Sequence, residues 1–541
     1  MNQLFIPGAM ILPLVFAALV AIMPEARARS VTLVGMLVAA LPVLGMLFAF
    51  DYNDAAAFQF ADSAPWISQL GLNVSVGVDG VSLLLIALTG LLGPLCVLGS
   101  WSAIKDRVRM FFVWLLVLQA AMIGVFAARD LLVFYVCFEF TLLPMFVLIN
   151  VYGSTNRKAA ALKFFIYTFT GSMIALAGLV YVSMYAAGQL GHWTFDIGEL
   201  MTSARTMSPT QQGWVLTALL AGFAVKVPLF PFHTWLPLAH TEAPTAGSVI
   251  LAGVLLKLGT YGIYRFVLGF VPMAVAEYAP LLAVLSIIGI VYAGLICWVQ
   301  TDVKKLVAYS SVSHLGFCVL GLVAINTTGL SGSVLYMLSH GLSTGAMFLL
   351  IGFMYERYHT RDMGQIGGLA SKMPVWSSFM VFFVLASVGL PGLNGFISEF
   401  LCLIGTFQSS ATLAGTEMGA TPGSLGPWFA AAAATGMVIA AIYLLYMVGK
   451  VVWGPLVEPA DHDDSQTGLS VDLNFREIGT LLPLAAACLV FGLYPKPLLV
   501  TIEAPVNSVV EAFGFEAPSR PVTPKQDEEH AEAGLRSEVV P

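Results

Sequence analysis

Apolar runs long enough to cross a lipid bilayer follow one another along nearly the whole chain. They fall near 4–23, 31–50, 81–100, 110–127, 131–152, 161–187, 213–237, 244–270, 279–299, 303–325, 331–354, 375–408, 428–453 and 477–500. A hydrocarbon core about 30 Å thick takes a helix of about 20 such residues. Inside it every backbone N–H and C=O must be satisfied within the protein, so such runs form helices. Only 10% of the 541 residues are charged and 58% are hydrophobic, whereas soluble domains carry about 25% charge. The expected fold is therefore an all-α polytopic membrane protein with about 14 transmembrane helices. The first run lacks a basic segment before it, and Arg27 and Arg29 follow it instead. It reads as a retained helix and not as a cleaved signal. The acidic, polar stretch 518–541 reads as a disordered tail.

Basic residues orient the spans. With the N-terminus outside, the inner loops receive Arg27, Arg29, Lys105, Arg107, Arg109, Arg157, Lys158, Lys304, Lys305, Arg357, Arg361, Lys372, Lys450 and Arg476. The outer loops before the last span hold only Arg129, Arg205 and Arg265. Fourteen against three is a clear positive-inside pattern, and it sets both termini outside. The loop from Asp51 to Gly80, which has no basic residue, is then an outer loop, and Arg129-Asp130 an outer-surface pair.

Two spans are interrupted. The seventh breaks at Pro228 and Pro231, and the twelfth at Pro391-Gly392-Leu393-Asn394-Gly395. Broken helices in matching places of two halves mark inverted repeats in transporters. Spans 4–8 and 9–13 fit two inverted five-helix repeats, each with one broken helix. The expected organisation is helices 1–3 in 1–105, the first repeat in 106–270 and the second in 271–455. An inner loop, helix 14 and a following segment occupy 456–517, before the tail at 518–541.

Charge inside a span costs about 2.5–3.5 kcal/mol even on the lenient insertion scale, and it marks an ion or proton path. Glu139, Lys226, Lys257 and Glu399 lie well inside their spans, and His314 and His340 sit near the middle of spans 10 and 11. At 1.5 Å per residue, Glu139 lies about 12 Å and Lys226 about 20 Å from the outer face, and Lys257 about 20 Å from the inner one. Together they can form a lateral row. His314 shares a helix face with Ser310 and Ser313, His340 with Ser343 and Thr344, and Lys257 with Thr260, Tyr261 and Tyr264. Such stripes of hydroxyls can carry protons. A buried lysine releases its proton readily unless a carboxylate stands beside it, so Glu139 and Lys226 form a candidate switch. Lys163, Lys304 and Lys305 lie near the inner surface and read as anchors. The six cysteines, at 96, 137, 297, 318, 402 and 488, form no CxxC pair. They read as packing residues and give no support to iron–sulfur, zinc or disulfide chemistry. Nor is there a GxGxxG or P-loop pattern for a nucleotide. The chemistry left is movement of protons or small ions.

The stretch VKVPLFPFHTWLPLAHTEAPTAGSVILAGVLLKLGTYGIYR from Val225 to Arg265 resembles the hallmark of the proton-pumping NADH–quinone oxidoreductase membrane subunits, which are related to Mrp-type cation/proton antiporters. Phe138 to Met145, Asp302 to His314 and Gly389 to Phe400 agree with it, and the likeness spans roughly residues 80–500. FEFTLLPMF resembles the subunit M, or chain 4, branch. So does Glu399, where sister subunits and antiporters carry lysine. The resemblance implies that Glu139 and Lys226 are a coupled pair, Lys257 a central relay and Glu399 the terminal residue of a second half-channel. His314 and His340 would link the halves. It implies no cofactor in this chain, with NADH, flavin mononucleotide, iron–sulfur clusters and quinone on partner subunits. It also implies neighbouring antiporter-like subunits, a bacterial inner membrane and no nucleic-acid partner. A subunit of an Mrp-type sodium/proton antiporter, or of a membrane-bound hydrogenase or ferredoxin-linked complex, is the alternative.

Overall fold

Apolar runs have become helices throughout the computed structural model, which describes residues 2–67, 71–413, 423–460 and 468–514. The expected tail at 518–541 lies outside them. Twelve helices among the described residues are long and apolar enough to cross a membrane, as a multi-pass membrane protein requires. They begin with α1 (Phe5–Ile22), α2 (Glu25–Ala49), α3 (Gly80–Gly99) and α4 (Val108–Ala127). The next span is two helices, α5 (Leu131–Phe140) and α6 (Leu142–Tyr152), followed by α7 (Arg157–Leu190) and the short α8 (Ile197–Ala204). The expected seventh span is α9 (Pro209–Lys226) and α10 (Trp235–Glu242), joined by a non-helical linker. Then come α11 (Thr245–Phe270), α12 (Pro272–Trp298), α13 (Val303–Val323) and α14 (Thr327–Tyr358). The expected twelfth span is likewise split, into α15 (Pro374–Val388) and α16 (Asn394–Gln408). The chain closes with α17 (Pro427–Val451), α18 (Phe475–Leu493) and α19 (Lys496–Glu511). The expected helix 14 thus stops at Leu493, where Tyr494-Pro495 turns the chain, instead of running to 500.

Burial separates two layers. Every residue in the most apolar window of α11 and α14 is buried, against 28% in α1. So α11, α13 and α14 form the centre, flanked by α3 and α4, while α1, α7, α12 and α17 leave one side bare as lipid-facing helices do. Lys257, His314 and His340 lie on these central helices and are buried.

Each interruption frees carbonyls that are then claimed locally. Pro228 and Pro231 have no N–H to continue α9; the Trp235 indole donates to the Val225 carbonyl at 2.9 Å, and the Leu229 N–H takes Ala224 O. At the other break Gly389 adopts φ +83°, open to glycine, and its N–H closes on Leu385 O. Asn394 Nδ2 and Ser339 Oγ then exchange hydrogen bonds with each other's backbone carbonyls, tying the start of α16 to α14. Pro144 leaves the Phe140 carbonyl unclaimed, and the chain kinks at Thr141, whose hydroxyl donates to Phe138 O at 2.7 Å. In α11 two π turns, Leu251–Leu255 and Ile263–Val267, bracket Lys257; such turns frequent functional sites.

Several sequence expectations need correction. The 51–80 loop contains an antiparallel hairpin, β1 (Gln59–Ile67) with β2 (Leu72–Val78), so the chain is not wholly helical. Arg265 is no loop residue: it is buried in α11 and paired with Asp79, with the Tyr261 hydroxyl accepting from its Nε. The apolar run at 244–270 already covers α11 to its end, and only the charge of Arg265 suggested a loop position for it. Arg129 faces Asp196 at 3.6 Å instead of Asp130, which caps α5 through Leu132 N and Val133 N. Arg357 is inside α14 and pairs with the buried Glu477 at 2.8 Å. Lys304 is 7% exposed and donates to Ala243 O, not to water. All six cysteines are free, and all but the half-buried Cys137 are buried.

The Arg265–Asp79 pair clamps one end of the central layer to the start of α3. Removing one member strands a buried charge, at a cost of about 3–5 kcal/mol. We expect Arg265→Ala to lower the thermal unfolding temperature of the detergent-solubilised protein markedly, and Arg129→Ala, at a half-exposed pair, to lower it far less.

Candidate functional site

Lys257 lies at 0% exposure on α11, immediately after a π turn. That turn leaves the Ala252 carbonyl pointing at it, and the lysine Nζ donates there and lies 2.7 Å from His340 Nδ1 on α14. A buried ammonium needs such acceptors, since an unpaired one costs several kcal/mol. The His340 ring faces the His314 ring of α13, with centroids 5.9 Å apart. His314 Nδ1 is 2.6 Å from the Tyr336 hydroxyl, and that hydroxyl donates to Glu399 Oε1 on α16 at 2.7 Å. Glu399 and His314 are themselves 3.6 Å apart.

The result is a row across three central helices and one broken one: Lys257, His340, His314, Tyr336, Glu399. All five are buried. The Nε2 atoms of both histidines and Glu399 Oε2 have no protein partner. Buried polar atoms in that state are ordinarily satisfied by water, which would complete the one step of the row that side chains do not bridge. Tight backbone approaches hold it. A Cβ on Gly332 would lie 2.6 Å from Cys402 N, so only glycine lets α14 and α16 close enough for Tyr336 to reach Glu399.

Lys226 ends α9, 3% exposed, with Nζ 4.7 Å from the centre of the Phe138 ring and 3.4 Å from the Thr141 hydroxyl. Glu139 is one turn away on α5, half-buried, and its Oε1 has no partner. The two charges act on each other but form no ion pair within 4.0 Å. Thr141 and Phe138 stand at the lysine in place of the carboxylate. Gly259 brings α11 against the end of α9, where its Cβ would meet Val227 N at 2.8 Å. Lys226 and Lys257 therefore sit on touching elements.

The structure thus gathers Lys257, His340, His314 and Glu399 into one contiguous row, and Lys226 with Glu139 into a second group beside it. The hydroxyl stripes read from spacing do otherwise. Ser310, Ser313 and Ser343 are spent on backbone carbonyls, as is Thr260, and Tyr261 bonds Ser82. Only Thr344 and Tyr264 keep unpartnered hydroxyls. Tyr336 was missed, although it stands four residues before His340 and so on the same helix face. Chemically the row offers alternating amine, imidazole, phenol and carboxylate, groups that can each give and accept a proton.

Comparison with known proteins places the chain in a family of membrane subunits. A family model described as "NADH:quinone oxidoreductase/Mrp antiporter, TM" matches residues 128–420. NADH-quinone oxidoreductase subunit M of Rhodobacter capsulatus is 39% identical over 520 residues, covering 93% of this chain and 95% of that one. NADH-ubiquinone oxidoreductase chain 4 of Marchantia polymorpha is 38% identical, covering 94% and 97%. Among solved structures, a chain of the respiratory complex I from Thermus thermophilus with bound NADH superposes with a TM-score of 0.81 at 29% identity, over 95% of this chain and all of that one.

Losing the Tyr336 hydroxyl would leave Glu399 Oε1 without its donor, a penalty of about 1–3 kcal/mol. Tyr336→Phe should lower the unfolding temperature in detergent. Tyr264→Phe, which removes a buried hydroxyl with no partner, should leave it unchanged or raise it.

Proposed function

Because this chain belongs to the NADH:quinone oxidoreductase/Mrp antiporter family of transmembrane subunits, we propose that it is a membrane-arm subunit of a respiratory NADH–quinone oxidoreductase and moves protons across the membrane through its buried polar row. The observation that carries this reading is the contiguity of Lys257, His340, His314, Tyr336 and Glu399 in the buried interior. Full-length likeness to subunit M relatives favours it over a free-standing sodium/proton antiporter. NADH oxidation, flavin, iron–sulfur and quinone chemistry belong to partner subunits in this reading, with antiporter-like neighbours at its sides. The half of the molecule built on α4–α11 and the half built on α12–α17 act as two inverted units, each with a broken helix.

Lys226 is the gate of the first half. With Glu139 ionised and near, its ammonium is stabilised; when the carboxylate is neutralised or drawn away, the lysine gives up its proton. The absence of a closed ion pair favours this, because a contact pair would hold the proton too firmly. The proton passes to Lys257, whose acceptors are a fixed carbonyl and an imidazole. It then travels by imidazole and phenol to Glu399, from which α16 leads toward the outer face. The face bearing Lys105, Arg109, Lys305 and Arg361 is turned to the inner compartment, as the positive-inside rule directs.

In membranes holding the assembled complex, Lys226→Ala should abolish most NADH-driven proton transport and, through tight coupling, slow NADH oxidation about a hundredfold or more, the scale of losing a proton-transfer group. Glu139→Gln should slow both less severely. Normal transport by assembled Lys226→Ala would refute the assignment.

A further inference from the structure

Between α2, α3, α14 and the corner where α18 turns into α19 lies a cavity of about 840 Å³, apart from the polar row. Its polarity is graded. Lys496, Tyr494, Tyr52 and Thr501 line one end, where α2 stops and α19 starts. Below them the wall, from Leu84 to Leu95 on α3 and from Leu47 to Leu37 on α2, holds no polar side chain. At 1.5 Å per residue that apolar part is about 15 Å deep. A hydrocarbon core is about 30 Å thick, so this is the depth of one leaflet. Leu37, Leu44 and Val500 are both lining and exposed, so the groove opens sideways to the bilayer.

Such a space is stable neither empty nor wet. Left empty, its lining forfeits dispersion contacts on one side. A water in it would need two to four polar partners, which the deep walls do not offer. The rim is different. There the Tyr52 hydroxyl donates to Leu47 O at 2.6 Å and the Thr501 hydroxyl to Pro497 O at 2.8 Å. Arg129, Arg205 and Arg265, at the same end of the protein, are taken up by Asp196, the Gly269 carbonyl and Asp79. Lys496 is exposed at the rim with no protein acceptor among the described residues, and Tyr494, exposed two residues earlier, lines the same rim.

We propose that this cavity is a phospholipid site, with the phosphate at Lys496 and Tyr494 and an acyl chain filling the groove down to Leu95. The ammonium supplies a point charge for the phosphate, and the apolar walls take the chain over its full depth. The bound chain also backs the wall behind the row. Leu88 lines the groove and lies 2.8 Å from where a Cβ on Gly341 would stand, and Leu338 and Leu342 line it two residues to either side of His340. The bilayer thus completes the packing of α14. This site stands whether or not the row carries protons.

The test uses the whole purified complex in phosphatidylcholine vesicles with a small fraction of phosphatidylglycerol carrying a diazirine midway along one chain. After irradiation, labelled residues are mapped by mass spectrometry. Leu91 and Ala487 of the groove should be labelled severalfold more than Leu281, an exposed residue of α12 about equally deep in the bilayer. Equal labelling, or none in the groove, overturns the site. Lys496→Gln should cut groove labelling about tenfold, the scale of one charge-assisted hydrogen bond, and leave Leu281 unchanged. A diacylglycerol with the same diazirine chain and no phosphate should label the groove as weakly. Unaltered groove labelling in either case overturns the phosphate contact. Ala87→Trp, which fills the groove from α3, should abolish the labelling of Leu91 and Ala487, and its persistence overturns the placement of the chain. Should that variant not assemble, the exposed Lys496→Gln still decides.

Discussion

An ammonium group in the middle of a bilayer has to be met by acceptors that cannot drift away, and in this protein those acceptors come first from the backbone. Lys257 is held by the carbonyl of Ala252, freed by a π turn. Lys304 is held by the carbonyl of Ala243, freed where α10 gives way to α11. Lys226 sits where α9 stops, against the kinked Thr141. Each interruption of a helix would be a defect in a plain membrane span. Here each one supplies the polar partner that lets a charge stay, and the helix breaks and the buried charges therefore stand together.

The same principle separates the two groups of polar residues. Around Lys226 the neighbours are an aromatic face, a threonine and a carboxylate held off from contact. Around Glu399 the neighbours are a tyrosine that donates to it at 2.7 Å and a histidine 3.6 Å away that bonds the same tyrosine. The first is a loosely set charge, able to change state when its surroundings shift. The second is a closed chain, suited to passing along whatever arrives. Lys257 lies between and touches both elements, so it is the point where a change at one end is felt at the other.

Much of this was legible in the sequence. Apolar runs predicted the spans, the two proline-bearing breaks fell where α9 and α15 end, and intramembrane charge singled out Glu139, Lys226, Lys257 and Glu399. What failed to show was whatever depends on which way a helix turns or how far it stays buried. Arg265 and Arg357 looked like loop cations because each lies near the end of its span; each is in fact buried against an acid more than a hundred residues away. Tyr336 gave no signal of its own, since a phenol carries no fixed charge and sits readily in an apolar span. Of the hydroxyls that spacing put beside the histidines, Ser310 and Ser343 turn back to carbonyls three and four residues earlier on their own helices, Ser313 reaches the Ile290 carbonyl of α12, and Thr344 has no protein partner. The hairpin at 59–78 was hidden because its strands are short and half polar.

The π turns of α11 also bear on how such a sequence can change over generations. Each accommodates a residue beyond the regular helical count, and one residue is about 100° of helix rotation. Deleting one position between Leu251 and Leu255 would relax the turn into ordinary helix, and the helix ladder would reclaim the Ala252 carbonyl. The lesion would leave composition, apolarity and length almost untouched, yet Lys257 would lose the backbone acceptor that holds its ammonium. Substitutions in this stretch can be absorbed one at a time. A change of length cannot, and the spacing between Pro244 and Arg265 is in that sense as much a part of the machinery as the residues it separates.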